Sequence, residues 1–516
     1  MGFRGFWPES QSDPDRVALV RDNGSEVSYK QLADSQNKVA NGLLALGVKR
    51  GDRVVVQLQN ETEFFEVALA TSQIGAYFVP VNFHSTGSDV AYILEDASAS
   101  AFIVDEPFAA AVAEACPPFP AEQDRWFVIG DAPGYRSYEH WKAQHSADLP
   151  SDRTAGATML YTSGTTGRPK GIRRALPDLS PEEANRFAAL GVQTVIGQQP
   201  YGAVQLVTGP LYHTTPGLLA LIGLHLGHTL VLMDRWNTER TLQLIDRYKV
   251  SYLHMVPTMF HRLLALPEDL RQRYDMSSLT RVVHGAAPCP VEDKRRMIDW
   301  WGPVIYEYYG SSEGGGASVS AEEWLQRPGT VGRPVPGSTI KILREDGSEC
   351  EPGEPGAVYM ATPGTEFEYL NAPDKTEASH RGGFFTVGDI GYLDEQGYLF
   401  LSGRTAEVII SGGVNIYPAE VEGVLLSHPA VADAAVIGVP SEEWGEEVKA
   451  VVVLGDNFTG SGDQAEELIA HARANLAGYK VPRSVDFRSE LPRSASGKLL
   501  KRDLRKDYWA GAGRAL

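Results

Sequence analysis

Residues Tyr161–Gly171 read YTSGTTGRPKG, and the organisation of the chain can be worked out from this segment in both directions. Gly164, Gly167 and Gly171 let a backbone wrap closely around an anion. Thr162, Ser163, Thr165 and Thr166 bring hydroxyl donors, and Lys170 brings a positive charge. The composition predicts a phosphate-wrapping loop. It is not a Walker A loop, because Lys170 is followed by Gly171 where that motif needs Ser or Thr. Taken alone, the same residues also suit a surface turn.

On the N-terminal side, helical and strand-like patterns alternate. Leu32, Val39, Leu43 and Leu44 recur at helical spacing within 29–46. Strand-like runs follow at 53–58 (RVVVQL), 76–81 (AYFVPV), 100–104 (SAFIV) and 126–129 (WFVI), with a crossover helix, EVALATSQIGA, between the first two. Beyond the loop the pattern continues through TLVLM, SYLHMV and RVVHG to about residue 310. Such alternation predicts parallel sheets with helices on their faces.

From about residue 330 the segments shorten and Gly becomes frequent, which predicts hairpins and a small β-barrel-like part. A boundary is expected at Gly403-Arg404. After it come a strand (EVIIS), a helix opened by Pro418, two strands (AAVIGV, KAVVVL), a further helix and SVDF. The expectation is a large α/β domain over 1–403 and a small α+β domain over 404–516.

The chain has 516 residues, too many for one hydrophobic core. Its net charge of −19 disfavours nucleic acid as a partner. No run is apolar enough to cross a bilayer, and the N-terminus lacks the apolar stretch of a secretory signal. Cys116, Cys289 and Cys350 are far apart and form no CxxC pair, so neither a disulfide framework nor a zinc site is expected. A reducing, cytoplasmic setting is the expectation, and the sequence leaves a homodimer open.

Four further motifs stand in order around the loop. They are HGAAP (284–288), YYGSSEG (308–314), TVGDIGYL (386–393) with LSGRTAEVIISGGVNIYPAEVE (401–422), and PRSASGKLLKRDLR (492–505). With YTSGTTGRPKG they resemble the signatures of the adenylate-forming superfamily: acyl-CoA synthetases, peptide-synthetase adenylation domains and luciferases. The resemblance covers essentially the whole chain. It implies a two-step reaction in which ATP and a small-molecule carboxylic acid give an acyl-adenylate and pyrophosphate, and the acyl group then passes to CoA.

The resemblance also implies roles. The ATP contacts would be Thr162, Ser163, Gly164, Thr165, Thr166, Gly167 and Lys170. Gly285, Ala286 and Ala287 would wall the adenine, Tyr309 would stack on it, and Glu307 would accept from its amino group. Tyr308 and Gly310 flank these residues, with core packing the preferred reading of Tyr308. Ser312 would contact phosphate and Glu313 would help hold Mg²⁺, a cation that takes hard oxygen ligands and often only one or two carboxylates. Asp389 would take the ribose hydroxyls, and Arg404 a ribose or phosphate contact. Lys498 would bridge the attacking carboxylate and the α-phosphate, two anions whose approach needs a cation. His213 would border the acyl pocket, and Ser411, Gly412 and Gly413 would face CoA.

Two departures stand out. Ala406 occupies the hinge where the superfamily usually has Lys or Asp. IRRALPD follows Lys170 where a Thr-His pair is common, with Arg173 and Arg174 read as facing solvent. Lys501, Arg502 and Arg505 are read as a solvated face. No acid follows His213 in HTTPGLLALIG, which disfavours an α-amino acid substrate. Leu218, Leu219, Leu221, Ile222, Ala286 and Ala317, with Gly314, Gly315 and Gly316, predict a roomy apolar tunnel. The expected substrate is therefore a medium- to long-chain fatty acid or a bulky alicyclic, steroid-like acid. An aryl acid, a carrier protein as acceptor, and a non-catalytic nucleotide-binding protein are the alternatives.

Overall fold

The computed structural model describes residues 4–116, 123–162, 168–412, 414–441, 443–455, 458–493 and 499–509. The chain folds as a large N-terminal α/β part and a small C-terminal α+β part.

Two sheets build the large part. One has nine strands in the order 333–334, 314–319, 305–311, 281–284, 252–255, 204–207, 229–232, 17–20 and 26–28. Its central strands are parallel, with Met255 opposite His284 and His284 opposite Glu307. The other has six parallel strands in the order 136–137, 126–129, 101–105, 53–57, 77–80 and 157–158. One apolar cluster joins them: Val54, Val56 and Phe78 of the second sheet, Leu19 and Leu230 of the first, and Leu32, Val39, Leu43, Phe65 and Leu69 from helices. The expected helix runs over Tyr29–Ala45 and starts in a capping box between Ser28 and Gln31. Leu44, also expected on its apolar face, is exposed.

The expected barrel-like part corresponds to an antiparallel sheet that branches at Gly356–Ala361, which pairs with Thr339–Leu343, Phe384–Phe385 and Asp389–Leu393. Asp389–Leu393 in turn pairs with Leu399–Arg404, and this ladder sets Asp389 opposite Arg404.

In the C-terminal part, Val431–Ser441 and Gly445–Leu454 form a long antiparallel pair. The hairpin of Ile409–Ser411 and Val414–Ile416 joins one side, and Ser484–Phe487 adds a parallel strand. Helices Pro418–Leu426 and Gly462–Asn475 supply Val421, Leu425, Leu468 and Ala472 to one core. Leu504 of Lys501–Trp509 packs in another with Ile437 and Val439. Among the described residues, no helix is long and apolar enough to cross a membrane.

Candidate active site

Open parallel sheets place ligands beyond the carboxyl ends of their strands. Here those ends carry His254 and Met255, His284 and Gly285, and the run Glu307–Glu313. Side chains alternate across a strand, so Glu307 and Tyr309 point one way and Tyr308 the other.

Glu307 is buried and accepts from Lys294 Nζ at 2.5 Å, with His284 Nε2 at 3.7 Å. Lys294, absent from the sequence expectations, also lies 4.6 Å from the centre of the Trp324 ring. Burial pushes the Glu307 carboxyl up and the Lys294 ammonium down, each held back by the other's charge. Glu307 Oε2 is therefore committed within the fold. Gly285 supports the same end of the sheet by close approach, because a Cβ there would lie 2.6 Å from the Tyr308 ring. Ala286 follows in the left-handed region at φ 68°, a conformation costing an alanine roughly 1–2 kcal/mol, and it is exposed. Ala287 is half-buried beside it, and Gly310 is exposed.

Tyr309 and Asp389, expected at the adenine and the ribose, are in direct contact. The Tyr309 hydroxyl donates to Asp389 Oδ2 at 2.7 Å, and Arg404 Nε lies 3.0 Å from Asp389 Oδ1. Burial and the Asp389 charge hold the Tyr309 phenol protonated far above its usual range.

Glu313 is buried and accepts at Oε1 from the Tyr369 hydroxyl at 2.9 Å. Lys170 Nζ lies 4.8 Å from the centre of the same tyrosine ring. Burial lowers the Lys170 ammonium, Lys375 lowers it further, and Glu313 opposes both. Lys170 pairs directly opposite Thr162 in an antiparallel ladder, so the glycine-rich loop is closed at its base. Ser163, Gly164, Thr165, Thr166 and Gly167 lie outside the described residues. Among the described residues no three His, Cys, Asp or Glu side chains gather as a metal site. A single buried carboxylate, steadied by one hydroxyl, fits Mg²⁺ held on a nucleotide.

Arg174 departs from expectation. It does not face solvent: Nη2 donates to the carbonyls of Ser312 and Glu313, both at 2.8 Å. Arg173 behaves as expected, paired with Glu368 at the surface. Ser312 Oγ shares a hydrogen bond of 2.6 Å with Thr214 Oγ1. His213 is the residue preceding helix Thr214–His225. Burial pushes its imidazole down to about 4, and its Nε2 is buried with no partner among the described residues. Tyr308 is not simple core packing: its hydroxyl donates to Thr215 Oγ1 at 2.7 Å and meets His254 Nε2 at 3.2 Å.

The roomy apolar tunnel is not where the glycines led. Gly315 backs onto the Met360 side chain of the branched sheet and Gly316 onto the Tyr309 carbonyl of its own hairpin, so these glycines serve close packing within the protein. Leu219 and Ile222 pack against Ala189 and Val192, Ala317 packs in the branched sheet, and Leu218 is exposed.

In the C-terminal part, Ser411 ends a strand and Gly412 turns the hairpin at φ 56°, where a Cβ would lie 2.6 Å from the Trp444 ring. Gly413 and Lys498 lie outside the described residues. Three positions after Lys498, Lys501 is not on a solvated face: its Nζ sits 2.8 Å from Glu422 and 3.2 Å from Glu407. Arg505 likewise pairs with Glu446 at 3.1 Å.

Comparison with known proteins identifies the family. Residues 6–370 match the family described as AMP-binding enzyme, and 420–498 match the AMP-binding enzyme C-terminal domain. The chain belongs to this family, and so to the adenylate-forming superfamily its motifs resemble. A feruloyl-CoA synthase from an Amycolatopsis species is 34% identical over 514 residues, covering 98% of this chain and 99% of its own. The fatty acid–[acyl-carrier-protein] ligase ScoC of Streptomyces coeruleorubidus is 31% identical over 517 residues, covering 98% and 96%. Among solved structures, the o-succinylbenzoate CoA synthetase (MenE) of Bacillus subtilis, in complex with its acyl-adenylate intermediate OSB-AMP, superposes with a TM-score of 0.81 at 29% identity over 98% and 99% of the two chains.

Proposed function

We propose that this protein is an AMP-forming acid–CoA ligase. The observation that carries the reading is the convergence of Tyr309, Asp389 and Arg404 beside Ser312, Glu313 and the Thr162–Lys170 base of the glycine-rich loop. That convergence supplies a ring to stack on adenine, a carboxylate to accept from ribose hydroxyls, and cations for phosphate in a chain whose net charge is −19.

In the first half-reaction an oxygen of the carboxylate attacks the α-phosphorus, and the bond to pyrophosphate breaks. Lys170 and the loop orient the phosphates, Ser312 holds its oxygen by the Thr214 bond, and Lys498 offsets charge between the two anions. Glu313 would hold Mg²⁺, whose chemistry is to neutralise and align the phosphates. In the second half-reaction a carbon–sulfur bond forms at the acyl carbonyl as the carbon–oxygen bond to AMP breaks. We assign 1–403 to the nucleotide- and acid-binding domain and 404–516 to a domain that turns between the two steps at Arg404–Ala406. The 3₁₀ turn Thr405–Glu407, directly after the strand ending at Arg404, supports that assignment. CoA as acceptor is supported by the names of relatives, and ScoC's name keeps a carrier protein as the second reading. The three free cysteines favour a reducing, cytoplasmic setting.

The test is pyrophosphate release with ATP and Mg²⁺ across a panel of acids, with and without CoA, beside Lys498→Ala. Removing such a transition-state group should cost about 10²–10³-fold in the first half-reaction. Pyrophosphate with no acid on the panel, or an unaffected Lys498→Ala, contradicts the reading.

A further inference from the structure

No ligand can touch Lys294. Its side chain, in helix Val291–Trp301, is fully enclosed, with the Trp324 ring 4.6 Å from its ammonium and Glu307 Oε2 at 2.5 Å. His284, across the ladder from Glu307, is equally enclosed, and both its ring nitrogens lack a partner among the described residues. Burial and the Lys294 charge keep that imidazole neutral. Among the described residues, the cation that answers Glu307 is therefore Lys294.

Stability alone does not account for the pair. A buried ion pair seldom outweighs the desolvation of both charges, and an apolar pair of similar volume is often as stable or more so. This pair is asymmetric. Lys294 and His284 are sealed, whereas Glu307 keeps 6% of its surface. Its Oε1 takes no hydrogen bond among the described residues, although buried polar groups are ordinarily satisfied. Glu307 shares its face of strand Ile305–Ser311 with Tyr309, and two residues along one face stand about 7 Å apart. A purine stacked on the Tyr309 ring can span that interval with its edge.

An ionised carboxylate accepts and cannot donate. With Oε2 tied to Lys294, Glu307 cannot turn, and Oε1 remains as a fixed acceptor. The edge of adenine offers an amino group where guanine offers a carbonyl oxygen. A site built to hydrogen-bond one group rejects an analogue lacking it, because its own polar atom is then left unpaired.

We propose that Lys294 is a positioning residue for the nucleotide: its ion pair with Oε2 fixes Glu307 with Oε1 as a pure acceptor, and so selects a triphosphate whose base carries a 6-amino group over one with a 6-oxo group. This rests on the nucleotide-activating reading above, in which the adenine lies against Tyr309 and Glu307. What it adds is a buried lysine that decides the base without touching it.

The experiment is calorimetric titration of the full chain with ATP, ITP and purine riboside triphosphate, which has no 6-substituent, each with Mg²⁺. Binding alone is read, so no acid is needed. The wild type should bind ATP at least tenfold tighter than either analogue. Lys294→Met leaves burial acting on Glu307 without its cation, and burial favours the protonated carboxyl. That variant's preference for ATP over purine riboside triphosphate should be weak, and should recover as pH is raised and Glu307 loses its proton. The wild-type preference should stay level over the same range. Lys294→Met with Glu307→Gln strands no charge, and carries the test if the single variant does not fold. Its amide can turn either oxygen or nitrogen to the base, so ATP and ITP should bind within about threefold of each other. Equal weakening of all three nucleotides in both variants marks a purely structural pair and overturns the proposal. So does a wild type blind to the 6-position, or a preference that survives in the double variant. No binding of ATP at all instead removes the nucleotide-activating reading beneath it.

Discussion

Lys501→Met should loosen the last helix, and the size of the effect follows from the burial of its partners. The Lys501 side chain is only 10% exposed and that of Glu422 14%, at 2.8 Å; Glu407, at 30%, is the more solvated partner. Burial alone would depress the Lys501 ammonium, but Glu422 and Glu407 raise it above its usual value. Glu422 is itself pushed up by burial, with Lys501 and the Val436 N–H pulling it back. Both shifts are upward, favouring the charged lysine and the neutral carboxyl, because Lys501 answers two carboxylates while Glu422 has one cation against its burial. Breaking a buried pair by removing one partner costs about 3–5 kcal/mol. The lower end applies here, since the Glu407 contact is partly screened and adds under about 1 kcal/mol. At about 1.4 kcal/mol per tenfold, a loss near 3 kcal/mol corresponds to roughly 100-fold faster amide exchange across 501–509, wherever that segment opens locally. Glu422→Gln with Lys501→Met should recover most of the protection, because the stranded charge is gone. The single variant should also regain protection, after correction for intrinsic exchange, as pH is lowered and the stranded Glu422, already pushed up by burial, takes up a proton. The wild type should hold as pH is lowered from neutral, because a lysine with a raised pKa gives its full contribution below its unfolded value and loses it only as pH rises through the folded one. Exchange in Lys501→Met within threefold of wild type would refute the reasoning, as would a double variant no better than the single.

Other consequences are more direct. Arg174→Ala frees two part-buried carbonyls that each take a charge-assisted bond, worth about 1.5–3 kcal/mol, so adenylate formation should fall at least tenfold. Arg173→Ala removes only a surface pair and should leave both rate and stability within about 0.5 kcal/mol. Asp389→Asn should raise the KM for ATP and narrow the preference for ATP over its ribose-deoxy analogues, read by pyrophosphate release. His225 and His254 are pushed down to about 3, and His213 and His228 to about 4. The unfolded chain therefore binds more protons than the folded one below about pH 6.5, and stability should fall from there towards about pH 4. A thermal midpoint flat between about pH 7 and pH 4.5 would count against those burials.

What could be read from the sequence was local. Short continuous apolar runs marked the parallel strands, and Ser28 with Gln31 is a start signal a few residues long. The pairings that hold the site are not local. Arg174 meets carbonyls of Ser312 and Glu313, well over a hundred positions away, and nothing in IRRALPD signals this. Two buried lysines did leave a trace. Lys294 stands at helical spacing with Met297, Ile298 and Trp301, and all four are buried. Lys501 stands three residues before buried Leu504. A charge on an apolar stripe predicts a buried counter-charge, whereas a cluster of charges in sequence suggests a wet face; the second signal prevailed in the reading of Lys501. The glycine run failed for a related reason. Glycine permits close approach without saying what approaches, and at Gly315 and Gly316 it is the protein's own Met360 and Tyr309.

The alternation of one strand separates the two tasks of the site. Glu307 and Tyr309 fall on one face of Ile305–Ser311, tied to Lys294 and Asp389, while Tyr308 falls on the other, tied to Thr215 and His254. Because neighbouring residues on a strand point apart, a substitution at 308 should disturb the groups at 307 and 309 little. Among the described residues the faces are coupled by the packing of the Tyr308 ring on Gly285 and by the Thr214–Ser312 bond, Ser312 adjoining Glu313. A Thr214→Val variant tests the second contact. It should slow pyrophosphate release for every acid alike, because it releases Ser312, and it should leave the ratio between acids unchanged. If Thr214→Val reorders the acids instead, the two faces are not separate, and the strand's alternation does not divide nucleotide from acid.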